Sequence, residues 1–247
     1  MLNILIPAMG PIDFLREGFV PGPPLAERGR TLLERERREF AALKGHRLVF
    51  VVGREVCEKY NLRKSAATMG PNAVEIVALD NETAGAICTC LMAIHLIASD
   101  DPLIIANCDL SMDLDYAELV AAFESQGLDA GVLTFEGGDP TRCFVRVRDG
   151  FIVEAAEKRQ ISSEAVVGFY WFRHGSDFIE AAKRAVLKGE EINGRYYISS
   201  SLNELILAGK SIGRRLVPVS QLPSSYFLTR HRPPAPPPNS STADAKP

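Results

Sequence analysis

Apolar residues gather in short, nearly unbroken runs at 2–6, 47–52, 73–79 and 103–106, with amphipathic or small-residue stretches between them. Runs of that length without polar alternation are expected of strands covered on both faces, as in a parallel sheet. The stretches between read as helices. Residues 31–40 are charged, alternate in sign as a solvated face does, and space Thr31 and Glu34 as a capping box. Residues 55–60 start a helix, 82–98 read as one buried helix of small and apolar residues, and 113–126 open with acidic residues that suit a helix N-terminus. The second half changes character. After a strand at 130–135, residues 143–147 and 151–155 flank Arg148-Asp149-Gly150, a hairpin turn. A strand at 166–172, a helix at 177–187 capped by Ser176, a segment at 196–208 helical in its second half and a strand at 214–217 complete the pattern. Strand–helix alternation followed by an inserted hairpin predicts an α/β fold. It is a mixed, mainly parallel sheet sandwiched by helices, with a small antiparallel subregion.

Length and composition fit one large domain over residues 1–230. From Pro233 the string Pro-Pro-Ala-Pro-Pro-Pro-Asn-Ser-Ser-Thr cannot bury apolar surface, and 231–247 reads as a proline-rich, disordered tail. A net charge of −3, from 28 basic and 31 acidic residues, gives no global field to attract nucleic acid or anionic lipid. No apolar stretch reaches membrane-spanning length and the first residues lack a basic leader, so a cytoplasmic protein is expected. The five cysteines (57, 88, 90, 108 and 143) are odd in number and lie in apolar runs, which suits reduced core thiols. His95, on an apolar helix, reads as a core histidine.

Candidate chemistry collects where strands end. The string Pro102-Leu-Ile-Ile-Ala-Asn-Cys-Asp109 delivers Asn107 and Asp109 just past a buried strand, the edge at which open α/β sheets hold ligands. A carboxylate there suits Mg²⁺, which takes one or two protein carboxylates and completes its shell with phosphate and water. The first strand runs into Pro7-Ala-Met-Gly10, a turn able to bring backbone amides to a phosphate. Thr83 and Gly85, at the head of the predicted 82–98 helix, leave room for a ligand to approach the backbone.

Eight strings in collinear order over residues 2–217 resemble the nucleotidyltransferases that activate sugar phosphates. They are Asn3-Ile-Leu-Ile-Pro7, Glu82-Thr-Ala-Gly-Ala86, Ile105-Ala-Asn-Cys-Asp109, Glu157-Lys-Arg-Gln-Ile-Ser162, Gly168-Phe-Tyr-Trp-Phe172, Gly175-Ser-Asp-Phe178, Asn193-Gly-Arg-Tyr-Tyr197 and Asn203-Glu-Leu-Ile206. The resemblance is to a bacterial polysaccharide-biosynthesis branch with a GT-A-like fold, often labelled glycosyltransferase family 2. It implies a nucleotide contact surface of Pro7, Ala8, Met9, Gly10, Glu82, Thr83, Gly85 and Asn107. Asp109 would carry Mg²⁺ between the two phosphates, with Asn203, or less directly Glu204, as the second metal-side residue. Lys158 would hold the phosphate of the second substrate, with Gly168 beside it. The substrates implied are an NTP and a phosphorylated small molecule, joined with release of pyrophosphate for surface polysaccharide; a homo-oligomer is left open.

The chain departs from the family at its first loop. Gly10-Pro-Ile-Asp-Phe14 lacks the second glycine and the arginine, and Val20-Pro-Gly-Pro-Pro-Leu25 puts Gly22 or Pro23 where the family has a lysine. Arg16 is the first candidate to substitute as a catalytic cation, ahead of Arg28 and Arg30. Two other readings follow: a catalytically impaired nucleotide-binding homologue that regulates or scaffolds, and a glycosyltransferase using Asp113-Leu-Asp115 as an Asp-x-Asp metal motif.

Overall fold

A computed structural model of the chain describes residues 1–10, 27–70, 73–108, 110, 112–137 and 139–222. Asp109, Arg16, the 20–25 string and the predicted tail lie outside the described residues. The elements in order are β1 (Leu2–Ala8), α1 (Arg28–Glu39), β2 (His46–Gly53), α2 (Arg54–Lys59), α3 (Leu62–Ala67), β3 (Val74–Leu79), α4 (Ala86–Leu91), α5 (Ile94–Ile97) and β4 (Leu103–Ala106). There follow α6 (Tyr116–Ser125), β5 (Ala130–Glu136), β6 (Cys143–Arg148), β7 (Phe151–Glu157), β8 (Glu164–Phe172), α7 (Gly175–Leu187), α8 (Ile198–Leu207) and β9 (Ile212–Leu216).

One mixed sheet runs in the order β3-β2-β1-β4-β8-β5-β9, with β6 bridging β8 and β7. The strands from β3 to β4 are mutually parallel, as their continuous apolar runs predict. The direction reverses where β8 lies antiparallel to β4, in the register Ala106 opposite Phe169. Alternate residues serve opposite faces. Ile4 and Ile6 pack with α1, α3 and α6 in one core, while Leu5 packs with α4, α5, α7 and α8 in the other. Every residue of β4 is buried, because it lies mid-sheet with helices on both faces.

Several local expectations shift. The segment 82–98 is broken into α4 and α5 rather than continuous, and His95 is exposed on α5, not in the core. Of the five cysteines, Cys57, Cys90 and Cys143 are buried, Cys88 and Cys108 half-buried, and all are free thiols. Helix α6 starts at Tyr116 with the Asp115 carboxylate accepting from the amides of Ala117 (2.9 Å) and Glu118 (3.0 Å). That cap accounts for Asp115 without a metal and removes the main support for the Asp-x-Asp reading. Thr31 sits inside α1, its hydroxyl donating to the Glu27 carbonyl (3.0 Å), so the capping box does not form.

Helix α1 is more than a solvated face. Glu36 is buried beside Arg35 (2.8 Å), and Arg35 also donates to the Cys108 carbonyl (2.6 Å). Glu39 accepts from the Met112 amide (2.9 Å) and the Tyr116 hydroxyl (3.0 Å). Burial, reinforced by Glu39, pushes the Tyr116 phenol up, so it stays a donor. The charged side chains of α1 thus hold the chain that follows β4 at Cys108 and at Met112.

At the other end of the sheet Asp129 ties β5 to β9. Its Oδ2 accepts from the Ser211 amide and hydroxyl, both 2.8 Å, and Lys210 bridges from it to Asp177 (2.9 Å). Burial acts to raise this carboxyl, yet the Ser211 donors and the Lys210 ammonium outweigh it and hold it below its ordinary value. A depressed carboxylate adds stability that is present above its unfolded pKa, about 3.9, and is lost as pH falls through the folded value. Asp129→Asn is therefore expected to lower the melting temperature at neutral pH. Melting curves should show the variant losing less than wild type as pH falls below about 4.

Candidate functional site

Two cavities open at the carboxyl ends of the parallel strands, and Ala86 lines both. The larger, about 550 Å³, is walled by Pro7 at the end of β1, by Met9 and Gly10 beyond it, by Glu82, Thr83 and Gly85 on the β3–α4 loop, and by Arg195. Six of the eight residues expected to contact nucleotide therefore meet in one cleft. Ala8 does not join them. It is buried, because the pleat of β1 turns it into the core with α1. Asn107 lies instead in the second cavity.

The β3–α4 loop is knitted from within. The Thr83 and Thr89 hydroxyls are 2.6 Å apart, a distance that requires one to donate to the other, and both lie 3.1 Å from the Gly85 carbonyl oxygen, which accepts from the hydroxyl whose proton remains. Gly85 has φ 122°, and a Cβ there would lie 2.4 Å from the Tyr196 carbonyl oxygen and 2.6 Å from its nitrogen. The room expected for a ligand at Gly85 is filled by the protein's own backbone. Tyr196 donates its amide to the Ala84 carbonyl (2.8 Å) and accepts from the Ile87 amide (3.3 Å). The segment that carries Arg195 and Tyr197 is thereby fastened to the loop that carries Glu82 and Thr83.

The second cavity, about 140 Å³, lies between β8 and the start of α8 and is lined by Asn107, Arg142, Glu157, Gly168 and Tyr197, among others. Gly168, at φ 102°, lets the Asn107 side chain close to within 2.3 Å of where a Cβ would sit, and its carbonyl accepts from the Asn107 amide (3.1 Å). Lys158 is exposed beside this cavity. Its ammonium donates to the Tyr197 hydroxyl and lies 4.7 Å from the centre of that ring, and its amide donates to the Arg142 carbonyl (2.8 Å). Its own backbone has φ 53°. Glu157 accepts from Ser199 (2.8 Å). Cys143 also borders the cavity, where burial and then Glu157 push its thiol far up, so it stays protonated and offers no thiolate nucleophile.

Asn203 does not reach the shared cavity wall. Its Oδ1 accepts from the Ala155 amide and its Nδ2 donates to the Ala155 carbonyl, both at 2.9 Å, so the expected metal-side residue is a brace between α8 and β7. Glu204 is buried and paired with Lys188. Among the described residues no group of three His, Cys, Asp or Glu side chains could hold a metal ion. Of the proposed cation substitutes, Arg30 is engaged by Glu34 (2.7 Å) and Arg28 is buried in the first turn of α1. Sequence reasoning had missed Arg142, Glu157, Tyr197 and Arg195. For Arg195 a signal existed: Asn193-Gly194 is the dipeptide of a tight two-residue turn, which aims the flanking residues.

No protein-family model and no curated protein matches the chain. Solved structures do. A nucleoside-diphosphate-sugar pyrophosphorylase from Vibrio cholerae RC9 superposes with a TM-score of 0.68 at 21% identity, covering 91% of this chain and 98% of that one. The chain has the fold of the sugar nucleotidyltransferases. The inositol-1-phosphate CTP transferase from T. maritima gives 0.60 at 13% identity, over 92% of this chain and 94% of that one. A putative glucose-1-phosphate thymidylyltransferase from Bacillus anthracis gives 0.59 at 14%, over 94% and 97%. Each superposition takes in more than nine-tenths of this chain and of its neighbour, so the likeness is not confined to one half of the sheet.

Gly85→Ala is expected to be costly out of proportion to one methyl group, by about 3 kcal/mol, because strain at positive φ and collision with the Tyr196 backbone add. Denaturant titration checks the loss.

Proposed function

We propose that the chain is a nucleotidyltransferase that joins an NTP to a sugar phosphate or similar phosphorylated small molecule for surface polysaccharide. The observation that carries this reading is the pair of cavities meeting at Ala86, one roomy and loop-walled, the other compact and flanked by Lys158 and Tyr197. The larger would take the nucleotide and the smaller the acceptor, placing the acceptor phosphate against the α-phosphate. An oxygen of the acceptor phosphomonoester attacks the α-phosphorus, a new P–O bond forms, and the bond to the β-phosphate oxygen breaks to release pyrophosphate. Reactions of this kind depend on positioning and charge neutralisation rather than on a covalent intermediate.

Within that scheme Lys158 binds the acceptor phosphate, its amine directed by the Tyr197 hydroxyl. Asn107 and Gly168 set the floor of the acceptor cavity, and Glu82 and Thr83 shape the nucleotide wall. Asp109 would hold Mg²⁺, which when bound would neutralise phosphate charge. Asp109 follows β4 in the sequence, and carboxylate chemistry suits that ion; Asn203, bonded at both ends of its amide to Ala155, does not contribute as it stands.

Pyrophosphate release from the purified chain, assayed with Mg²⁺ over a panel of NTPs and sugar phosphates, is expected for at least one pair. Lys158→Ala should then lower kcat/KM by roughly 10²- to 10³-fold for that pair. Silence across the panel from folded protein that still binds NTP by calorimetry would support the impaired, nucleotide-binding homologue instead.

A further inference from the structure

Among the described residues that line the larger cleft, Arg195 carries the only positive charge. Its backbone is fixed on both sides. On one side Ile192 and Arg195 exchange amide hydrogen bonds of 2.9 and 3.2 Å across Asn193 (φ 54°) and Gly194 (φ 73°), the left-handed pair of a type I′ turn. On the other, Tyr196 is locked against Ala84 and Gly85. The side chain itself is loosely held. Its guanidinium is 3.8 Å from the Glu82 carboxylate, and both groups are mostly in water, 58% and 81% exposed. An ion pair that open contributes little and exchanges readily. Nearby Arg54 is held by Asp80 on an exposed surface and does not line the cleft.

We propose that Arg195 binds the phosphate chain of the nucleotide, giving up Glu82 for phosphate oxygens when the cleft fills. A guanidinium on a rigid turn presents a planar fork that matches phosphate geometry and is always charged. Glu82, released, is left facing the same cleft as an acceptor for neutral donors of the nucleotide. The inference rests on the nucleotide reading of this cleft and adds a residue and a contact to it.

Calorimetry with NTP, NMP and the unphosphorylated nucleoside, on wild type, Arg195→Ala, Arg195→Lys and Glu82→Gln, tests it. Because Arg195 is exposed, unchanged melting temperatures are expected. Arg195→Ala should weaken NTP roughly ten- to a hundredfold, flatten the salt dependence of binding and leave the nucleoside unaffected; Arg195→Lys should recover part of the loss. Glu82→Gln should bind NTP at least as tightly as wild type through phosphate, since a competing anion is gone. Equal NTP affinity of wild type and Arg195→Ala overturns the inference while the nucleotide reading stands. So does equal weakening of NTP and nucleoside, which would put Arg195 on the base or ribose. Wild type that binds none of the three overturns the reading, and the inference with it.

Discussion

The contact on which the arrangement depends is the backbone-close meeting of Asn107 and Gly168, where the parallel half of the sheet gives way to the antiparallel half. β4 arrives parallel to β1 and β8 returns beside it in the opposite sense. Only a residue without a side chain at 168 lets Asn107 settle against β8 while its amide bonds the Gly168 carbonyl. The loops beyond β1 and β3 therefore face one cavity, the hairpin strand β6 and the start of α8 face the other, and the two share a wall.

A second junction, between Gly85 and Tyr196, makes the two cavities mechanically one. Residues 192–197 touch both: Arg195 in the larger, Tyr197 in the smaller. Since the backbone there is bonded to Ala84 and Ile87, the main chain that carries both side chains cannot shift far without disturbing the Thr83–Thr89 loop. The walls of the two cavities are thus joined by a short stretch of hydrogen-bonded main chain.

Much of this was legible in the chain. The parallel strands announced themselves as continuous apolar runs, the hairpin through Asp149-Gly150, and six of eight expected nucleotide contacts do share a cleft. What failed did so for identifiable reasons. Ala8 was lost to strand pleat, a matter of one residue in register. Thr31 was lost because α1 begins earlier, at Arg28, and the charges of α1 looked solvated because only the folded chain brings Cys108 and Met112, both 73 residues distant from their partners, against them. Asn203 fits the expected motif by position, yet its amide is spent on Ala155, a contact across 48 residues that no local pattern encodes.

Lys158 holds a conformation that glycine would adopt at lower energy, by about 1 kcal/mol. The ammonium beside Tyr197 is thus carried on a backbone conformation that costs the fold some stability, so replacing Lys158 by glycine would remove the charge and relieve the main chain in one step.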